Sequence, residues 1–164
     1  MSGLIAEAKA IAVLEACRRK GILLATAESC TGGMIAAALT DIAGSSDVVD
    51  RGFVTYSNEA KQDMIGVPAG VIAAHGAVSQ EVALAMAEGA LAHSSAGIAV
   101  AVTGVAGPGG GSAEKPVGLV WFGLALKGKR PIAERHVFAD GGRAWIRLSA
   151  VNTALDMVLK ALGD

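Results

Sequence analysis

Apolar and polar positions alternate along this chain in helical stretches and short apolar runs. Leu4, Ala8, Ile11, Leu14 and Cys17 recur at helical spacing, with Glu7, Glu15, Arg18 and Arg19 mostly off that stripe. The pattern predicts an amphipathic first helix, closed by Gly21. Residues 22–26 form a short apolar run, read as a buried strand. Thr31-Gly32-Gly33 leads into an Ala-rich helix over 34–39, and a loop follows through Gly44-Ser45-Ser46. Residues 53–56 predict a second strand. Ser57 is placed to cap a short helix over 58–65, closed by Gly66 and Pro68. Ser79 caps the next helix, to about His93. Residues 97–103 predict a third strand and 104–116 a long Gly-rich loop. Strands over 117–126 and 132–138 flank Lys127-Gly128-Lys129-Arg130, a hairpin link. A last helix starts near Gly142 and buries Ile146, Val151, Leu155, Val158 and Leu162. The early units favour parallel pairing, and the late hairpin must be antiparallel. The expected fold is α/β: a three-layer α/β/α arrangement with a mixed, mostly parallel sheet ending in an antiparallel hairpin.

The 164 residues suit a single domain spanning 1–164. Composition sharpens the fold class, because 52% of residues are hydrophobic but only 4% aromatic. A core of Ala, Val, Leu and Ile favours close helix-on-sheet packing. With 14 basic and 15 acidic residues, no general pull toward nucleic acid or anionic membrane is expected. Every apolar run is broken before membrane-spanning length. The start of the chain does not read as a signal peptide. Cys17 and Cys30 form no Cys-x-x-Cys pair, so neither a zinc site nor a disulfide framework is expected, and the reducing cytoplasm is the default. His75, His93 and His136 are scattered and read as structural or surface residues.

Four segments carry candidate chemistry. Thr26-Ala27-Glu28-Ser29-Cys30-Thr31-Gly32-Gly33 lies where a strand turns into a helix, which sets Ser29 at the sheet's mouth beside free backbone N–H groups. Ser29 reads equally as a helix cap. Cys30 reads as a small hydrophobe packed under the turn. Glu28 could orient Lys61 or the substrate, or be a buried pair partner. Tyr56-Ser57-Asn58-Glu59-Ala60-Lys61 repeats the strand-to-helix turn and contains the chain's only tyrosine. A lysine can act as base toward a serine hydroxyl, provided burial or a nearby cation brings it down from its ordinary pKa of about 10.4. The other reading of Lys61 is an exposed surface lysine. The loop Thr103-Gly104-Val105-Ala106-Gly107-Pro108-Gly109-Gly110-Gly111-Ser112 could pass over a ligand, but it fits neither the Walker nor the dinucleotide spacing. Arg143 and Arg147 stand one turn apart at a helix start, where positive charge is disfavoured. They read either as an anion site or as solvated side chains with Asp140 as cap.

Taken in order, Thr-Ala-Glu-Ser-Cys-Thr-Gly-Gly, Tyr-Ser-Asn-x-x-Lys, Thr-Gly-x-Ala-Gly-Pro-Gly-Gly, Pro-Val-Gly-Leu-Val and Gly-Gly-Arg-x-x-Ile-Arg resemble the CinA C-terminal domain family over nearly the whole chain. The resemblance implies hydrolysis of the carboxamide of nicotinamide mononucleotide to nicotinate mononucleotide and ammonia. It implies Ser29 as nucleophile, Lys61 as base and Tyr56 as an aid to the proton relay. It also implies substrate-binding positions at Cys30, Thr31, Gly32, Gly33, Thr103, Gly104, Ala106, Gly107 and Arg143. No metal and no cofactor is expected. The partner is a small-molecule nucleotide, and a homo-oligomer fits the apolar composition. The family's longer members carry a further pyrophosphatase-like domain, whose function is not inherited here. Rival readings are a non-catalytic nucleotide-binding or regulatory domain, a Ser–Lys amidase for another amide and, last, an interaction protein.

Overall fold

The computed structural model describes residues 2–163, with side chains described from residue 6 onward. Twelve elements follow one another: α1 (Ser2–Lys20), β1 (Leu24–Glu28), α2 (Met34–Thr40), a 3-10 turn (Ser45–Asp47), β2 (Val49–Val54), α3 (Asn58–Ile65), α4 (Ala69–His75), α5 (Gln80–Ala92), β3 (Ile98–Gly104), β4 (Leu119–Leu126), β5 (Ile132–Val137) and α6 (Arg143–Ala161). The five strands form one sheet in the order β2-β1-β3-β4-β5. β1 pairs in parallel with both β2 and β3. β3–β4 and β4–β5 are antiparallel, so the direction reverses one ladder before the hairpin.

The expected three layers are present. One face carries α1, α2 and α6, packed through Val13, Leu14, Ile35, Leu39, Val151 and Leu155 against Ile98, Val100 and Val102 of β3. The other carries α3, α4 and α5, packed through Ile65, Ile72, Val82 and Met86 against Ala25, Ala27, Ala99 and Ala101. Side-chain size differs between the faces for a steric reason. A Cβ on Gly123 of β4 would lie 2.1 Å from the Ala83 carbonyl of α5, and one on Gly89 of α5 would lie 2.0 Å from the Ile65 carbonyl. α5 approaches so closely that only Gly and Ala fit beneath it.

Several sequence expectations shift. In α1 the buried residues are Ala6, Ala10, Val13, Leu14, Ala16 and Cys17. Ala8 is exposed, Ile11 is 39% exposed, and the Leu4 side chain lies outside the described residues. Small alanines against α6 set this face in place of the larger isoleucine. β1 runs two residues later than the run at 22–26, because Ile22 N–H still bonds Cys17 O at the end of α1. β2 starts at Val49, with Asp50 and Arg51 hiding it from the apolar pattern; on this edge strand Arg51 is exposed and Asp50 accepts from Ser95 N. α4 was not expected at all. The cap of α3 is as read: Ser57 accepts from Ala60 N. So is the cap of α5, where Ser79 accepts from Val82 N.

β1, β2 and β3 all end on the same side of the sheet. The connection after β1 passes over one face and the connection after β2 over the other, which opens a crevice at the strands' carboxyl ends, the usual ligand position in α/β sheets. Ser29, Tyr56 and the loop after Gly104 all leave from that edge.

Candidate functional site

Ser29 follows the last residue of β1, and its N–H donates to Val102 O at 3.0 Å, anchoring it to β3. The chain then turns: Gly32 N–H donates to Ser29 O at 3.1 Å and Met34 N–H to Thr31 O at 3.0 Å. Gly32 (φ 57°) and Gly33 (φ 108°) take left-handed backbone conformations that side chains resist. Ser29 is not the cap of the next helix. α2 begins at Met34, and its first amides are met by Glu28. That carboxylate is 1% exposed and accepts from Thr31 Oγ1 at 2.6 Å, Ile35 N at 2.8 Å and Ala36 N at 3.1 Å. Among the described residues, the N–H groups of Cys30, Thr31 and Gly33 make no backbone hydrogen bond.

Lys61 is the most informative residue here. It sits in the first turns of the mostly polar α3, yet is only 1% exposed. Its Nζ lies 3.0 Å from Ser29 Oγ and donates to Thr55 O at 2.7 Å. Thr55 N–H in turn bonds Glu28 O, so one backbone link ties the lysine's support to the strand bearing Ser29. Burial pulls the Lys61 pKa below its ordinary value, because the charged ammonium loses more than the neutral amine on leaving water. Burial also pushes the neighbouring Cys30 thiol up to about 11. Cys30 is therefore a thiol at neutral pH and belongs to the core, which leaves only its backbone N–H to meet a ligand.

Tyr56 is 59% exposed, and its hydroxyl accepts from Arg143 Nη2 at 3.0 Å. Among the described residues it makes no hydrogen bond to Ser29 or Lys61. Arg143 also donates from Nη1 to Gly107 O at 2.8 Å, so it ties the Gly-rich loop to Tyr56 across the crevice. Ala106 and Gly107 are buried where that loop leaves the sheet. Thr103 is 1% exposed and donates to Ala77 O at 2.9 Å, so its hydrogen is committed within the protein. Gly104 packs on β4, where a Cβ would lie 2.7 Å from Val120. Arg147 is not a solvated arginine either: Nε donates to Cys30 O at 3.0 Å and Nη2 to Thr31 O at 3.3 Å. Asp140 accepts from Gly142 N. It closes a turn before α6 and does not cap the helix amides.

Ser29, Lys61, Tyr56, Arg143 and the Cys30–Gly33 turn thus share one edge, while Thr103 and Gly104 support it from beneath. Glu28 and Arg147, whose roles the sequence left open, hold the turn from two sides. The grooves of about 430 Å³ between α1, α2 and α6 and about 500 Å³ beside the 127–130 hairpin lie away from Ser29. Among the described residues, no group of three or more His, Cys, Asp or Glu could hold a metal. No described helix is long and apolar enough to cross a membrane.

Comparison with known proteins gives consistent results. The CinA C-terminal domain model matches residues 6–162. Nicotinamide-nucleotide amidohydrolase PncC from Escherichia coli (strain K12) is 52% identical over 141 residues, which cover 86% of this chain and 85% of that protein. A CinA-like protein from Syntrophobacter fumaroxidans is 50% identical over 150 residues, covering 92% of this chain but 35% of its own length. The crystal structure of competence/damage inducible protein CihA from Agrobacterium tumefaciens superposes with a TM-score of 0.93. That match has 53% identity and covers 98% of this chain and 96% of the other.

Proposed function

This chain belongs to the CinA C-terminal domain family, and from that premise we propose that it hydrolyses the carboxamide of nicotinamide mononucleotide, releasing nicotinate mononucleotide and ammonia. The choice of substrate follows the relatives described as nicotinamide-nucleotide amidohydrolases. The observation that carries the chemistry is the 3.0 Å approach of the buried Lys61 Nζ to Ser29 Oγ.

An amide needs an activated nucleophile, a proton shuttle and a site for the oxyanion. In the neutral amine, one N–H stays on Thr55 O and the lone pair faces the Ser29 hydroxyl. Lys61 takes the Ser29 proton as Oγ attacks the carboxamide carbon. The carbonyl π bond opens to an oxyanion, met by turn N–H groups such as those of Cys30 and Thr31. The Lys61 ammonium returns its proton to the leaving nitrogen, the C–N bond breaks, and ammonia departs. Water then attacks the ester, with Lys61 again as base, and Ser29 is regenerated as the carboxylic acid leaves. Tyr56 and Arg143 stand at the mouth of the site. Arg143 uses two of its donors within the protein, and the others are available for the nucleotide's phosphate. Arg143 holds the Tyr56 hydroxyl at the mouth of the site, and Tyr56 assists the proton relay from there. The reducing cytoplasm, pyridine-nucleotide salvage and a homo-oligomeric assembly complete the proposal.

The test is ammonia release from the mononucleotide by wild type and Ser29→Ala. Wild type should release ammonia and the variant should lose at least ~10³-fold. A variant that retains the wild-type rate refutes the nucleophile. A wild type inactive on the mononucleotide, but active on another amide, refutes the substrate.

A further inference from the structure

Three successive carbonyls of the Ser29 turn are taken. Ser29 O accepts from Gly32 N, while Cys30 O and Thr31 O accept from Arg147, 116 or more residues away on α6. Thr31 O is shared with Met34 N. The peptides of this turn are trans, since the one cis bond of the described chain is Gly107–Pro108. In a trans peptide the N–H points opposite the carbonyl. With Cys30 O drawn to the guanidinium, Thr31 N–H is turned away from it. With Thr31 O drawn the same way, Gly32 N–H is turned to the opposite side, where it meets Ser29 O. Glu28 holds the same turn from below through the Thr31 hydroxyl and the amides of Ile35 and Ala36. A Cβ on Gly32 would lie 3.4 Å from Arg147 Nη2, so the arginine packs closely against the turn.

We propose that Arg147 is a positioning residue whose guanidinium fixes the orientation of the Cys30–Thr31 and Thr31–Gly32 peptides, and so aims Thr31 N–H, one of the backbone groups that receive the oxyanion, while Gly32 N–H locks the turn on Ser29 O. The inference rests on the Ser29 reading above. A cation on a carbonyl also polarises its peptide and strengthens the N–H of that same unit as a donor. The planar fork spans two adjacent carbonyls, which the single ammonium of lysine cannot do in the same geometry. Arg147 therefore acts on the transition state more than on the bound substrate, since the carboxamide oxygen gains its negative charge only on attack.

The experiment compares wild type with Arg147→Lys and Arg147→Gln in three measurements: steady-state ammonia release from the mononucleotide, binding of nicotinate mononucleotide by calorimetry, and the rate at which a fluorophosphonate probe labels Ser29. In that labelling Oγ bonds to phosphorus, fluoride leaves and the serine proton passes to Lys61, so the readout does not depend on which amide is the natural substrate. Expected is a ~10- to 100-fold fall in kcat and in labelling rate for both variants. KM and product affinity should stay within about twofold. Wild-type labelling rates in both variants overturn the proposal. So does product affinity falling in step with kcat, because that is the signature of a merely structural loss. If wild-type protein is labelled at Ser29 but releases no ammonia, the substrate reading fails and the labelling rates decide the role of Arg147 by themselves.

Discussion

Replacing Glu28 by glutamine tests whether the carboxylate, and not Ser29, caps α2. The two differ by one atom, so packing is conserved. In the native chain one oxygen accepts from both Thr31 Oγ1 and Ile35 N, and the other from Ala36 N. A glutamine that keeps its oxygen on the first pair turns an NH2 toward the Ala36 amide, donor against donor. A buried amide left unpaired costs about 1–3 kcal/mol, and two bonds lose their charge assistance at about 1 kcal/mol each. The neutral side chain recovers part of this, because it is cheaper to bury. The net loss should be about 2–4 kcal/mol. For a domain of this size each kcal/mol lowers Tm by about 2–4 °C, so Glu28→Gln should melt about 4–16 °C lower. Thermal melting by circular dichroism measures the loss, and hydrogen exchange locates it, with the Ala36 amide exchanging faster in the variant. A variant that melts within about 2 °C of wild type, with Ala36 exchange unchanged, refutes the capping role.

Three further predictions concern Lys61 and the helix that carries it. Because burial lowers its pKa below the ordinary value of 10.5, ammonia release should climb with pH and begin to do so below the usual lysine range; flat activity from pH 6 to about 9 refutes a lysine base. The same depression makes the unfolded chain hold the proton where the folded chain has lost it, so rising pH favours the folded state up to about pH 10.4. The Tm of wild type minus that of Lys61→Met should therefore grow from pH 7 toward pH 10, and a constant difference argues against the shift. Gly89→Ala should destabilise despite alanine's better helix propensity, since the new methyl would lie 2.0 Å from Ile65 O. A loss of about 1–3 kcal/mol is expected, with activity falling because Ile65 ends the helix that carries Lys61. A stabilised, fully active Gly89→Ala would show that α3 is free to shift.

What could be read from the sequence divides by the range of the interaction. The Ser57 cap lies three residues from the amide it serves, and α3 came out with its observed bounds. The helix-spaced apolar residues of α6 were buried as read. The start of β2 was hidden because Asp50 and Arg51 break its apolar pattern: Arg51 is exposed, while Asp50 is spent on the Arg51 guanidinium and on Ser95 N–H, a contact 45 residues away in sequence that no local pattern shows. In α1 the choice between Ile11 and the alanines was made by α6, more than a hundred residues on. Ser29, Lys61 and Arg143 could be found as residues. Their partners could not, since Lys61 meets Ser29 across 32 residues and Arg147 meets Cys30 across 117. One overlooked signal did exist for Lys61. Ile65 follows it by four positions, so the two share a helix face. α3 buries only these two residues. Ile65, the apolar residue one turn after Lys61, marked which way the lysine would point, while Met64 turns outward at 41% exposed.

Two oppositely charged side chains, Glu28 and Lys61, are each 1% exposed on either side of Ser29, and the sequence left open whether they pair. In the structure they do not: Glu28 spends its oxygens on the turn hydroxyl and the α2 amides, and Lys61 turns to Thr55 O and Ser29. An ion pair would have favoured the ammonium form and raised the lysine pKa. Kept apart, burial dominates and favours the neutral amine. The carboxylate's charge is balanced by backbone dipoles that hold the turn in shape. The lowered pKa of Lys61 and the ordered turn thus share one structural cause, the diversion of Glu28 to the start of α2. A substitution that frees Glu28 from the turn amides should therefore harm the site twice, by loosening the N–H groups beside Ser29 and by releasing a carboxylate that can hold Lys61 protonated.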